Sequence, residues 1–192
     1  MADPGPVGPS PDAEPGAVEV HLVPLRRRHL RSVMRIEAQV YPHPWTLSLF
    51  MSELNLRTSR AYLAARVGGA VVGYAGLMLA GPESHVTTIA VDPAWQRHKI
   101  GSRLLAHLLR VSRDRGVHDV TLEVRVSNGP AQAMYRRFGF EEAGVRRGYY
   151  AESGEDALIM WAYAVDTPDY LERLEAIEAG IPGRTVVDEG AR

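Results

Sequence analysis

Cysteine is absent from the 192 residues. Its absence excludes a disulfide, a thiolate metal site and a cysteine nucleophile, so any covalent intermediate would have to form on another residue type. A charge excess is missing as well. With 22 Lys and Arg against 23 Asp and Glu, the formal charge is -1 and the pI is near 6.7. That balance excludes a general nucleic-acid binder, whose affinity depends on neutralising many phosphates, and no nucleic-acid partner is expected. No window approaches the roughly 20 continuous apolar residues that span a bilayer, and the first residues lack the charged and apolar halves of a signal peptide. A cytoplasmic chain with no membrane partner is expected. At 45% apolar and 23% charged residues, the composition suits one domain with a core of useful size.

What is present is concentrated between Val91 and Arg113. A β-branched run from Thr87 to Val91 stops at Pro93, a polar loop crosses Gln96 to Lys99, and Ile100, Leu104, Leu105, Leu108 and Leu109 then recur at helical spacing. The pattern is strand, loop, helix. Between Pro93 and Arg113 there is no Asp or Glu, yet Arg97, Lys99, Arg103, Arg110 and Arg113 are present with His98 and His107. A helix N-terminus already offers unpaired N–H groups and partial positive charge, so an anion is expected to dock at this turn. Because the whole chain is not basic, the partner should be small.

Along the rest of the chain, residues 1–17 hold five prolines and three glycines and read as a disordered tail. A first strand is expected over Val18–Pro24. Two short helices should follow, over Arg26–Val40 and Thr46–Leu56, with Thr46 as N-cap and Pro42 and Pro44 in the turn between them. Strand-like runs flank Gly68-Gly69, a hairpin signal, and a third strand leads into the central motif. Gly116 should close the helix that begins near Ile100, a strand follows over Val120–Val124, and Asn128-Gly129-Pro130 should start another helix. A closing strand pair is expected over Val145–Ala151 and Ala157–Ala164. Thr167-Pro168 should cap a last helix ending at Gly180, and residues 183–192 are expected to be mobile. The order of elements predicts an α/β (α+β) domain over 18–166. It should hold a central mixed, mostly antiparallel sheet of about seven strands with about four flanking helices, and residues 167–192 should add a helical extension.

Two blocks of residues carry a resemblance. Val91-x-Pro93-x-x-Gln96-x-x-Lys99-x-Gly101, followed by Asn128-x-x-Ala131-x-x-Met134-Tyr135-x-x-x-Gly139-Phe140, resembles the signature of the GCN5-related N-acetyltransferases (GNAT) over roughly residues 18–165. Pro44-Trp45-Thr46, Leu122-Glu123-Val124-Arg125-x-Ser127-Asn128, Arg146-Arg147-x-Tyr149-Tyr150 and Asp156-Ala157-x-x-Met160 are similar to the ribosomal-protein-alanine (RimI-type) branch. The resemblance implies a GNAT fold. It also implies acetyl transfer from acetyl-CoA to the α-amino group of a protein N-terminus, typically an alanine of a small-subunit ribosomal protein, within a ternary complex.

That chemistry needs two proton-transfer groups. An α-ammonium titrates near ~8 and must lose a proton before it attacks a thioester, and Glu123 is the candidate base. A departing CoA thiolate leaves more easily when a hydroxyl donates to it, and the resemblance places Tyr135 near the sulfur as candidate acid. For the cofactor, the resemblance implies backbone contacts from Ile89, Ala90 and Val91 to the pantetheine and from Gln96, Arg97, His98, Lys99, Ile100, Gly101 and Ser102 to the pyrophosphate, with Asn128 on the pantetheine arm. Tyr41 and Trp45 on one side and Tyr149 and Tyr150 on the other should flank the peptide, with Glu152, Glu155 and Asp156 placed to attract a basic residue. Histidines 21, 29, 43, 85 and 118 show no ligand spacing, and no metal is expected. Lys99 departs from the family, which usually has glycine there; if the backbone requires a positive φ, the lysine costs about 1 kcal/mol. Two further readings remain open on the residues alone: acetylation of a small amine or internal lysine, and a non-catalytic acyl-CoA-binding module, which Lys99 alone supports.

Overall fold

The structure is a computed structural model that describes residues 18–188 and Gly190. The expected tail over residues 1–17 lies outside the described residues. Alternation in β1 (Val18–Pro24) buries Val20 and Leu22 on one face of the sheet and Val23 on the other. A 3-10 turn over Arg27–His29 leads into α1 (Leu30–Val40), and α2 (Leu47–Asn55) starts where the Thr46 hydroxyl accepts from the Leu49 N–H at 3.2 Å. Phe50 is fully buried whereas Leu47 stays exposed, so α2 contributes one anchor rather than a continuous apolar face.

Next come β2 (Arg60–Val67) and β3 (Ala70–Ala80), joined at Gly68-Gly69 with φ of 54° and 88°, values that glycine adopts without a Cβ penalty. They continue into β4 (Glu83–Val91), a 3-10 turn over Pro93–Trp95, and α3 (Ile100–Asp114). Then follow β5 (Asp119–Arg125), α4 (Gly129–Arg137), β6 (Glu141–Tyr150), β7 (Glu155–Ala162), α5 (Pro168–Ala179) and β8 (Gly183–Val187). The sheet order is β6-β7-β5-β4-β3-β2-β1-β8, antiparallel throughout except for the β4–β5 and β1–β8 pairs. The mixed, mostly antiparallel sheet is as expected, with eight strands in place of seven.

Two cores sandwich the sheet. Leu104, Leu105, Leu108 and Leu109 of α3 pack with Phe138, Tyr170 and Leu174 against one face, while Val33, Ile36 and Phe50 cover Tyr74 and Ala90 on the other. Each fully buried Leu or Phe contributes about 1.5–3 kcal/mol of transfer free energy, so α3 is the main anchor of its layer.

The extra strand corrects one expectation. Residues 183–187, expected to be mobile, pair in parallel with β1 from Val18↔Gly183 to Leu22↔Val187. The buried Arg103 of α3 fixes this strand by donating to the Pro182 carbonyl and the Thr185 hydroxyl. Arg110 donates to Glu178 at 3.0 Å, and Arg113 donates to the carbonyls of Val165 and Thr167. Three members of the basic run therefore hold the C-terminal extension and do not face an anion.

Candidate active site

The site begins where two strands part. β4 and β5 pair over three rungs only, Glu83↔Asp119, Ser84↔Val120 and His85↔Thr121. Beyond His85, β4 pairs only with β3, and β5 only with β7. The backbone of residues 86–91 thus faces a wedge instead of a strand, and, the Ile89 carbonyl aside, its unpaired N–H and C=O groups are left for a ligand. The wedge opens into a cavity of about 800 Å³.

Ile89, Ala90 and Val91 line this cavity from β4, and Gln96, Arg97, Lys99, Ile100, Gly101 and Ser102 line it at the start of α3. Arg97 and Lys99 both have left-handed backbone, at φ of 68° and 57°. The positive φ on which the cost of a lysine at position 99 depends is present, and a second one precedes it at Arg97. Alternating left-handed residues before a helix turn successive N–H groups toward one point, which is the geometry of an anion-binding nest. His98, included among the expected cofactor contacts, does not line the cavity; its Nδ1 lies 2.9 Å from the Gln96 carbonyl and its ring packs 5.8 Å from Trp95.

Strand alternation places Val120, Leu122 and Val124 in the core and turns Glu123 toward the cavity. There Glu123 is not alone. Its Oε2 lies 2.5 Å from His85 Nε2, and Arg146 Nη1 lies 3.1 Å from Oε1. Hydrogen bonding from His85 above all, followed by the charges of His85 and Arg146, outweighs burial and holds the Glu123 carboxyl below the usual carboxylate range. His85, which sequence reading left as a surface or core histidine, is the partner of Glu123 that it missed. The 38 intervening residues hide the pairing, and only the last rung of the β4–β5 ladder brings the two together.

Tyr135 enters from α4, whose N-cap Asn128 accepts from the Ala131 N–H at 3.2 Å. Its ring packs 5.8 Å from Phe140, and its hydroxyl has no hydrogen-bond partner among the described residues. Burial pushes its pKa up, helped by Tyr41 and Tyr150, so the side chain stays a neutral phenol able to donate.

The α1–α2 turn forms one wall of the opening. Tyr41 donates to the Ile89 carbonyl at 3.1 Å, and the Trp45 N–H donates to Glu37 Oε2 at 3.0 Å. Glu37 also accepts from the Tyr74 hydroxyl; burial raises its pKa, and these two hydrogen bonds oppose the rise. The β6–β7 hairpin forms the other wall. Tyr149 and Tyr150 pack edge to face at 5.1 Å, with the Arg125 guanidinium 3.8 Å above the Tyr150 ring. Burial pushes the Tyr150 phenol up to about 12. Arg125 also binds Glu152 and, at 2.9 Å, Glu155; Glu155 accepts from Ser127 N–H, and Asp156 accepts from Gly148 N–H. Each of these three carboxylates has a partner near the hairpin, and Glu152 also lines the cavity.

Residues 30–140 match the model of the acetyltransferase (GNAT) family. The N-alpha-acetyltransferase RimI of Mycobacterium tuberculosis is 41% identical over 155 residues, covering 78% of this chain and 93% of that protein. The [ribosomal protein bS18]-alanine N-acetyltransferase of Escherichia coli strain K12 is 36% identical over 138 residues, covering 71% and 92%. The crystal structure of the ribosomal-protein-S18-alanine N-acetyltransferase from Escherichia coli superposes with a TM-score of 0.69 at 33% identity, covering 76% of this chain and 94% of that one. With a family signature over more than half its length and a parted strand pair at the centre of its cavity, the chain belongs to the acetyltransferase (GNAT) family.

Proposed function

We propose that this protein transfers the acetyl group of acetyl-CoA to the α-amino group of a protein N-terminus, with the N-terminal alanine of a ribosomal protein as substrate. One observation carries the reading: the Glu123–His85 pair and the unpartnered Tyr135 hydroxyl line a single cavity at the point where β4 and β5 part. The substrate class follows the enzymes from E. coli and M. tuberculosis to which the chain is similar.

The residues fit acetyl-CoA. The unpaired backbone of 86–91 offers donors and acceptors for the pantetheine amides, and the left-handed start of α3 suits the pyrophosphate. The opening between the Tyr41–Trp45 turn and the Tyr149–Tyr150 hairpin is walled by aromatic rings, which suits the backbone of an incoming peptide.

In the reaction, the Glu123–His85 pair takes the proton that an α-ammonium of pKa near ~8 must lose. Glu123 supplies the charge and His85 shares the proton. Tyr135 donates to the sulfur as the C–S bond breaks. Its raised pKa makes it a hydrogen-bond donor to the developing thiolate before it is a proton source.

Thiol release measured with a peptide beginning in alanine tests the proposal. Release is expected with the free α-amine and none with the same peptide acetylated at its N-terminus. Equal release with a lysine side chain or a free polyamine would overturn it.

A further inference from the structure

Lys99 is the one lysine of the chain; the other 21 of its 22 Lys and Arg residues are arginine. A primary amine forms a stable amide with an acyl donor, whereas an always-protonated guanidinium does not. Among the side chains, Lys99 alone offers an amine for acylation. Its placement gives that fact weight. The residue is exposed, lines the cavity at the α3 end and holds a left-handed backbone at φ 57°, and its side chain makes no hydrogen bond or ion pair among the described residues.

We infer that Lys99 is an acylation site through which an acyl donor lowers its own subsequent binding. The inference rests on the reading of the cavity as an acetyl-CoA site. In the reaction the neutral ε-amine attacks the thioester carbonyl of an acetyl-CoA molecule from solution. The C–N bond forms, the C–S bond breaks, and the amine's proton passes through water to the departing thiolate, leaving Nε-acetyllysine and CoA. On that reading a seated donor has its phosphates at the start of α3 and its reacting carbon by Glu123 and Tyr135, so it does not react this way. A seated donor instead covers Lys99. Acylation therefore proceeds on the empty site and replaces an ammonium with a neutral amide beside the phosphates. The affected quantity is saturation by the donor and not turnover.

The single lysine makes the test selective. The full chain is treated with N-acetoxysuccinimide, with and without saturating CoA, and the adduct is mapped by mass spectrometry. Lys99 should be acetylated in the absence of CoA and protected in its presence. The treated protein should show a KM for acetyl-CoA raised about tenfold, with kcat and the peptide KM held within about twofold. The α-amine of the N-terminus also reacts, so K99R is treated alike and should keep the acetyl-CoA KM it had before treatment. Untreated K99Q should show the raised KM. Prolonged incubation of the full chain with acetyl-CoA alone should produce the same Lys99 adduct. Labelling indifferent to CoA, an unchanged KM after labelling, or no adduct from acetyl-CoA would each overturn the assignment. Failure of the untreated protein to bind acetyl-CoA in calorimetry would instead overturn the reading of the cavity.

Discussion

Replacing Glu123 with Gln removes the charge of the proposed base and keeps its shape. The Gln carbonyl still accepts from His85 Nε2, and the amide then faces Arg146, whose side chain is 53% exposed and is solvated without its partner. The loss of fold stability should therefore stay within about 1 kcal/mol, or roughly 3 °C in Tm for a domain of this size. Loss of a general base costs about 10²–10⁴ in rate, so kcat should fall about 10³-fold at pH 7. The pH profile carries the sharper prediction. At pH 7 roughly a tenth of an amine with pKa near 8 is neutral, and at pH 9 roughly nine tenths. The variant depends on amine that has already lost its proton and should gain about tenfold across that interval. The native enzyme should gain less, because His85 and Arg146 keep Glu123 ionised well below neutrality. The ratio of native to variant kcat should shrink from about 10³ toward 10² between pH 7 and 9. Steady-state assays with an alanine peptide at saturating acetyl-CoA measure it. A ratio that stays flat with pH, or a variant as fast as the native enzyme, would refute the base assignment.

Tyr135→Phe should lower kcat by about 10²-fold while calorimetric binding of acetyl-CoA is kept, since the ring packing on Phe140 survives and only the donor is lost. Arg103→Met leaves the Pro182 carbonyl and Thr185 hydroxyl without their donor and should cost about 2 kcal/mol in urea unfolding, with hydrogen exchange accelerating in β8. Glu155 has a carboxyl held at about 2, chiefly by hydrogen bonding from Ser127 and then by Arg125. A depressed folded pKa contributes stability above the unfolded value near ~4.3 that is lost as pH falls from there through 2. Glu155→Gln should therefore flatten the dependence of Tm on pH across that window, and an unaltered slope would show that the hairpin carboxylate is not linked to folding.

Features set by neighbouring residues were legible before any coordinates. Thr46, Asn128 and Thr167 cap helices as their positions imply, each accepting from the N–H three residues on. The hairpin at Gly68-Gly69 follows an equally local rule, whereas the left-handed backbone at Lys99 was suggested only by the glycine the family usually has there. Features set by pairing across long stretches were not legible. The Glu123–His85 contact exists because a parallel ladder only three rungs long ends at His85↔Thr121, and no periodicity records where a ladder ends. Residues 183–187 lack the length to announce a strand, and their pairing with β1 joins opposite ends of the described chain. Glu152, Glu155 and Asp156 formed an acidic loop on paper. The fold lays Arg125 and two backbone N–H groups against them, so each carboxylate has a partner and Arg125 is held over Tyr150.

The basic run from Arg97 to Arg113 divides by helical phase. Arg103, Arg110 and Arg113 stand at i, i+7 and i+10, a spacing that returns to one side of a helix every second and third turn. A small anion at the helix N-terminus cannot reach such a stripe, since Arg110 and Arg113 lie about 10 Å or more along the axis from the first turn at 1.5 Å per residue. A second element running beside α3 can, and α5 with the strand after it does so. Arg97 and Lys99 precede the helix and follow no stripe; their left-handed backbones line the cavity instead. The same helix is thus gripped along its length by the extension and presents its start to the ligand. The two sets of cations should separate in experiment: Arg103→Met should register in unfolding free energy with little change in KM, and Lys99→Gln in the KM for acetyl-CoA with little change in unfolding free energy.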